Sequence, residues 1–118
     1  MILVDTSIWI DHFNKSDNEL INLLNTGEVC IHPFIIGELS CGNISNRKEI
    51  LTLLKALPQV DSALDEEVFT LIENKKLYGI GLGFIDAHLL ASALIENVKL
   101  WTRDKTLKNA ALTLGIHK

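Results

Sequence analysis

Four carboxylates occupy positions in this sequence that packing alone does not explain. Asp5 and Asp104 each follow a short apolar run typical of a buried strand, and Glu38 and Asp86 lie in unusually apolar helical segments. Carboxylates that ionise side by side repel one another unless cations neutralise them. Mg²⁺ or Mn²⁺ suits such a set, because these hard ions accept a few carboxylates together with water. The residues therefore predict one acidic, metal-binding pocket that could activate water for phosphodiester hydrolysis.

Each of these acids also has an ordinary structural interpretation. Asp5 could begin a turn, with the next residues, Thr6 or Ser7, capping a helix, and Asp104 could cap the last helix. Asp86 lies in the first turn of its helix, where the dipole favours a negative charge, so it could simply cap the helix N-terminus. Glu38 would be costly if buried alone, and its alternative is a partly exposed helix that points this side chain to water. Only the four acids taken together indicate a functional site.

The elements that would position these acids alternate between strands and helices. Strands are predicted at residues 1–4, 28–32 and 98–102, with very short ones at 59–61 and 116–117. Helices are predicted at 8–13, 19–25, 34–41, 46–57, 65–78, 84–96 and 105–114. This alternation favours an α/β fold with a small parallel sheet, right-handed crossovers and flanking helices. Ligands bind such sheets outside the carboxyl ends of the strands, where Asp5 and Asp104 are expected.

Composition narrows the class of protein. The chain has 118 residues, 47% of them hydrophobic and 22% charged, which favours a single globular domain over residues 1–118. No apolar run approaches a membrane span, and the two cysteines are expected to be reduced core residues, so a cytoplasmic location is predicted. A net charge of −4 argues against a simple electrostatic DNA-binding module. It does not argue against a nuclease whose acids bind cations.

Two further features have weaker functional interpretations. Arg47, Lys48, Lys75 and Lys76 could rim a groove for a polyanion, although charges on such helices are ordinarily solvated. The glycine-rich link at residues 79–83 lacks the spacing of a dinucleotide or P-loop fingerprint and is interpreted as a flexible connection.

Four segments together resemble the PIN-domain nucleases, and within them the VapC-type toxins of toxin–antitoxin pairs. They are LVDTSIWID at residues 3–11, IGEL at 36–39, GFIDAHLLASA at 83–93 and LWTRD at 100–104. Their order and approximate spacing match along nearly the whole chain, whereas residues 43–80 match in helical character only. The resemblance implies a PIN-like, three-layer α/β/α fold.

The resemblance also implies an activity, a Mg²⁺-dependent endoribonuclease in which Mn²⁺ can substitute. It assigns Asp5, Asp86 and Asp104 as catalytic metal ligands. It assigns Glu38 as the catalytic residue that helps to hold a metal or orients the attacking water. All four acids of the family pattern are present in this chain.

Supporting residues and partners follow from the same resemblance. Thr6 and Thr102 would be hydroxyls that fix the carboxylates. Arg103 and Lys105 could contact phosphates of the RNA substrate, with solvent-exposed or antitoxin-contacting roles as the alternatives. A cognate antitoxin protein and a homodimer are the expected partners, with no membrane.

Two other functions are compatible with parts of the sequence. A phosphatase with an aspartyl nucleophile also places Val4-Asp5-Thr6 after its first strand, but it normally needs a second aspartate where this chain has Ser7. A non-catalytic module with the same fold could act through protein or RNA partners. The RNA target and the number of metal ions are not encoded in any short motif.

Overall fold

A three-stranded parallel sheet lies at the centre of the computed structural model, which describes all of residues 1–118. The strand order is β2-β1-β3, with β1 at Ile2–Val4, β2 at Val29–Cys30 and β3 at Lys99–Trp101. Ile2 pairs with Val29 on one side of β1 and with Lys99 on the other. The predicted parallel α/β sheet is confirmed, although its strands are shorter than predicted.

Single parallel bridges extend the sheet at both edges. Ile31 pairs with Gln59 beyond β2, and Leu100 pairs with His117 beyond β3. The two very short strands predicted near these positions therefore exist only as one-residue bridges.

Seven helices flank the sheet. They are α1 (Thr6–Asn14), α2 (Asn18–Asn25), α3 (Pro33–Ser40), α4 (Arg47–Lys55), α5 (Asp65–Asn74), α6 (Phe84–Glu96) and α7 (Lys105–Thr113). All seven were predicted, but α5 ends four residues earlier than predicted. It ends there because Lys76 adopts the left-handed conformation (φ 54°), which an α-helix cannot continue through.

The core places β1 and α6 at the centre of the molecule. Leu3 and Val4 are fully buried, and α6 buries a continuous run of seven residues from Ala87 to Ala93. Small side chains in that run let the helix pack closely against its neighbours. The strand that ends at Asp5 and the helix that carries Asp86 are therefore both held by the main core.

The two cysteines differ in burial. Cys30 is a free, buried core residue, but Cys41 is exposed, so the prediction that both cysteines lie in the core is wrong for Cys41. Cys41 is the C-cap residue of α3 and begins an exposed stretch that continues through Asn43. No helix combines the length and apolar character needed to cross a bilayer.

Candidate active site

Asp5 lies at the carboxyl end of the central strand and is 5% exposed. Its carbonyl oxygen accepts hydrogen bonds from the backbone N–H groups of Ile8 (3.0 Å) and Trp9 (3.3 Å), so helix α1 begins at Thr6 rather than at residue 8 as predicted. Although Asp5 occupies the N-cap position, its side chain makes no capping hydrogen bond. The carboxylate is left free for other partners.

Two hydroxyl groups hold one oxygen of this carboxylate. Thr102 Oγ1 donates to Asp5 Oδ2 at 2.7 Å, and Ser7 Oγ donates to the same atom at 3.0 Å. Asp5 Oδ1 has no hydrogen bond within the protein and is not sealed from solvent. The strand end therefore presents one fixed and one available carboxylate oxygen.

Ser7 is a residue whose role the sequence interpretation missed. It was expected at most to cap α1, but its hydroxyl also accepts from the backbone N–H of Arg103 (3.1 Å) and lies 3.3 Å from Thr102 Oγ1. It thereby ties the end of β1 to the end of β3. The one sequence feature that pointed to this role is the position of Ser7, two residues after Asp5. Its other side-chain partner, Thr102, is 95 positions away along the chain and could not be identified locally.

Asp104 caps the last helix, as its ordinary structural interpretation predicted. Its Oδ1 accepts from the backbone N–H of Leu107 at 2.8 Å and so caps α7, while its own N–H donates to Thr102 Oγ1 at 3.0 Å. Its Oδ2 makes no hydrogen bond within the protein. Capping fixes the carboxylate without using both of its oxygens.

Glu38 is exposed, so the costly lone burial suggested by the apolar character of α3 does not occur. The alternative prediction, that the Glu38 side chain points to water, agrees with this exposure. Thr6 Oγ1 nevertheless donates to Glu38 Oε1 at 2.9 Å, which holds this carboxylate next to the residue that follows Asp5. The second oxygen, Oε2, remains without a protein partner.

Asp86 connects the four acids electrostatically. Burial and repulsion by Asp5, Asp104 and Glu38 together raise the pKa of Asp86 from 3.8 to about 6. Its place in the first turn of α6 would by itself lower this pKa, so burial and repulsion outweigh the helix dipole. The side chain makes no hydrogen bond, and Gly83 occupies the N-cap position, so the capping interpretation of Asp86 is wrong.

The two basic residues predicted near the site have different surroundings. The Arg103 guanidinium is paired with Asp11 (2.7 Å) and Asp17 (2.5 Å), and hydrogen bonds to both carboxylates raise the pKa of Arg103. Lys105 is exposed at the start of α7 and makes no ion pair within the protein. Arg103 therefore braces α1 and the turn after it in this conformation.

His88 lies two residues after Asp86 but is partnered elsewhere. Its Nε2 lies 2.8 Å from Asp65 Oδ1, and its ring meets the edges of Phe34 and Phe84 at centroid distances of 4.9 Å. His88 is therefore a buried side chain that contacts Asp65 and makes no hydrogen bond to any of the four acids.

Most of the chain matches one known protein family. The family model for the PIN domain matches residues 2–112, a range that includes all four acids. The chain belongs to the PIN-domain family. Among its PIN relatives, "Ribonuclease VapC32" of Mycobacterium tuberculosis is 45% identical over 117 residues, covering 98% of this chain and 94% of the relative. "Ribonuclease VapC1" of Methanocaldococcus jannaschii is 31% identical, covering 88% and 76%.

Solved structures support the PIN fold independently of close sequence similarity. A chain in a "Toxin-antitoxin complex from Klebsiella pneumoniae" superposes with a TM-score of 0.67 at 23% identity, covering 88% of this chain and 87% of that one. A chain of FitAcB from Neisseria gonorrhoeae superposes with a TM-score of 0.61 at 17% identity, covering 94% and 93%. At these identities the likeness concerns the fold alone.

PIN nucleases depend as a family on divalent metal ions, and the donor atoms of this PIN site fit a hard cation. Asp5, Asp104 and Glu38 each have one oxygen held by the protein and one free, and Asp86 has neither oxygen engaged. No three acidic, histidine or cysteine side chains are gathered tightly enough to enclose an ion directly. A bound cation would therefore take one or two carboxylates and complete its coordination with water, as Mg²⁺ commonly does.

Proposed function

We propose that this PIN-domain protein is a metal-dependent endoribonuclease that hydrolyses RNA phosphodiester bonds with an activated water molecule. The observation that carries the proposal is the grouping of the four carboxylates at one end of the sheet. Thr102 contacts both Asp5 and Asp104, and Thr6 holds Glu38 next to them. These three acids, together with burial, raise the pKa of Asp86. Such repulsion costs stability unless cations relieve it, and proteins retain such arrangements at functional sites. The related ribonucleases from two organisms support RNA as the substrate.

Each acid has a stated part in the proposed mechanism. Asp5, Asp86 and Asp104 would hold Mg²⁺, one or two of them directly and the others through its bound water, with Mn²⁺ as an acceptable substitute, and Glu38 would help to hold it or orient the attacking water. When bound, the cation supplies a water of lowered pKa and neutralises charge on the phosphate. The chain provides the orientation, because its backbone and hydroxyl donors fix one oxygen on each of three carboxylates.

The hydroxyl groups act by positioning the acids. Thr102 and Ser7 restrain Asp5 Oδ2, which limits rotation of the carboxylate and keeps Oδ1 available. Thr6 restrains Glu38 in the same way. Lys105 is free to contact a substrate phosphate, whereas Arg103 would first have to leave Asp11 and Asp17.

We further propose that the chain is the toxin of a toxin–antitoxin pair and acts on RNA in the cytoplasm. Its VapC relatives and its likeness in fold to a chain from a toxin–antitoxin complex support this role. A cognate antitoxin would then have to block either the acidic site or the path of RNA to it.

Removal of metal is the direct test of the proposed activity. Total cellular RNA incubated with the purified protein and Mg²⁺ is expected to be cut, with cleavage falling to background in EDTA and returning when Mg²⁺ is added in excess. A gel or sequencing of the new RNA ends measures the result. The return of activity serves as the control, because common contaminating ribonucleases need no metal. Cleavage that persists in EDTA would contradict the mechanism, and no cleavage by folded, antitoxin-free protein would favour the non-catalytic binding module.

The homodimer is proposed on the basis of an exposed aromatic pair. Phe69 on α5 and Phe84 on α6 pack with ring centroids 5.6 Å apart, yet they are 55% and 44% exposed. Aromatic residues left on a surface commonly form protein contacts. Phe69→Ser is expected to shift the mass measured by light scattering from dimer to monomer, whereas Leu112→Ser, at a residue 55% exposed on α7, leaves the dimer intact. A monomeric wild type, or a dimeric Phe69→Ser, would refute this contact.

A further inference from the structure

A cleft of about 350 Å³ separates the end of α5 and its following turn from one face of α7. Its lining contains two lysines and no acid, although the whole chain carries a net charge of −4. The lining residues are Lys75, Lys76, Leu77, Ile80, Thr106, Asn109, Ala110 and Thr113. The cleft is therefore locally basic on an acidic protein.

The two lysines of this cleft are not neutralised within the protein. Neither Lys75 nor Lys76 takes part in any of the ion pairs of the structure, which involve His88, Arg103 and Lys118. Both lysines lie on the lining of the cleft, in the turn where the backbone of Lys76 adopts the left-handed conformation. Both ammonium groups are available to an anion.

The opposite wall supplies neutral hydrogen-bond donors. Thr106, Asn109 and Thr113 recur at helical spacing on one face of α7. The side chains of Thr106 and Asn109 make no hydrogen bond within the protein, whereas the Thr113 hydroxyl donates to the Asn109 carbonyl at 3.0 Å. Cations on one wall and free hydroxyl and amide groups on the other suit the oxygens of a phosphate chain.

The α7 wall of the cleft begins close to the acidic site, and the chain of the other wall continues to α6. Thr106 follows Asp104 by two residues in the first turn of α7, so their Cα atoms lie only about 5 Å apart. On the other wall, Ile80 leads through the glycine-rich link to α6, whose first turn carries Asp86. A strand whose phosphate lies among the acids could continue into the cleft.

We propose that this cleft, defined by Lys75, Lys76, Thr106 and Asn109, binds the phosphodiester backbone of the RNA next to the bond that is cut. The inference rests on the proposed ribonuclease function and adds the path of the substrate to it. A phosphodiester strand fits better than an acidic peptide, because the same strand must also place a phosphate at the adjoining carboxylates. Lysine contacts to phosphate add affinity without reading sequence, so the cleft serves many RNA sequences equally.

Binding is measured by fluorescence anisotropy with a fluorescein-labelled pool of short, random-sequence, single-stranded RNA. Ca²⁺ is present to neutralise the acids, and a gel checks that the probe stays intact. Lys75→Gln/Lys76→Gln is expected to weaken binding about tenfold and to flatten the slope of log K against log salt by about 1.4, since each phosphate contact contributes about 0.7 with single strands. Lys75→Arg/Lys76→Arg keeps the charge and should bind like the wild type.

The matched control removes the same charge elsewhere. Lys15→Gln/Lys55→Gln changes two exposed lysines, one directly after α1 and one at the end of α4, both outside the cleft, and is expected to leave both affinity and salt slope unchanged. Equal affinity and slope in the cleft and control variants would overturn the proposal, as would a wild type that does not bind the probe. If the wild type cuts RNA while the cleft variant binds like the control, only the cleft proposal fails. If the wild type binds with the expected salt slope but never cuts, only the ribonuclease function fails.

Discussion

Asp5→Asn is expected to reduce RNA cleavage by about 10³-fold or more while leaving the protein folded. Asparagine has nearly the shape of aspartate, and its amide oxygen can still accept the hydrogen bonds that Thr102 and Ser7 now donate to Oδ2. The substitution removes the negative charge at the carboxyl end of the central strand and puts an amide NH2 group, which cannot bind a cation, in place of the available oxygen. Losing a few kcal/mol of metal-derived stabilisation of the transition state accounts for a reduction of this size.

The measurement is the initial rate of RNA cleavage in Mg²⁺ for the wild type, for Asp5→Asn and for a control. Asp61→Asn is a matched control, because Asp61 is exposed and makes no side-chain hydrogen bond. It is expected to cut at the wild-type rate, and thermal melts of all three proteins check folding. A folded Asp5→Asn protein that cuts as fast as Asp61→Asn would show that the acidic site does not carry the reaction.

Asp86→Asn is expected to stabilise the metal-free protein by about 1–3 kcal/mol near neutral pH. In the folded protein, burial and three neighbouring carboxylates raise the pKa of Asp86 to about 6, compared with 3.8 for an unperturbed group. Between these values the folded state holds the proton more tightly than the unfolded state does. The free energy of unfolding therefore falls as pH rises through this window, and the full cost is present above about pH 6.

The sign of this effect separates the site from an ordinary surface charge. Denaturant unfolding of metal-free wild type and Asp86→Asn is compared from about pH 5 to about pH 8, and the advantage of the variant should grow with pH and then level off. Mg²⁺ should raise the Tm of the wild type more than that of the variant, because the cation relieves the same repulsion. An advantage that does not change with pH, or a variant that is less stable at pH 8, would contradict the raised pKa.

Together, the two predictions describe a site whose clustered carboxylates lower the stability of the metal-free fold and serve to bind metal. The same carboxylate that is expected to hold metal is expected to destabilise the metal-free fold. Asp86→Asn should thus give a more stable protein with little cleavage activity. That combination would separate a metal-binding role from a structural one, since loss of a structural residue lowers stability.

Much of the fold was accessible from local patterns. The predicted bounds of α6 agree with the structure, because Gly83 precedes it, Asn97 ends it in the left-handed conformation, and its apolar run matches the core. The overlong prediction for α5 has an equally local cause. The residues after Asn74 are compatible with a helix by type, but the chain turns at Lys76 and no sequence pattern required it.

The exposure of Glu38 depended on packing between elements. An apolar helix with one acid in its middle gives no indication of which side faces an open part of the surface. In the structure Glu38 faces solvent, yet Thr6 holds it at 2.9 Å. Periodicity left open a buried charge or a charge that points to water, and the fold produced an exposed charge that Thr6 holds beside the site.

The sequence by itself determined which acids could act together. Asp5 and Asp104 follow parallel strands, so they had to reach the same edge of the sheet, and the motifs around all four acids identified the family. Only the tertiary structure decided how the acids are held. The contacts that restrain Asp5 Oδ2 and pair Arg103 with Asp11 join residues 97 and 92 positions apart. Such contacts depend on the register of β1 with β3, which local residue patterns do not specify but the packed core does.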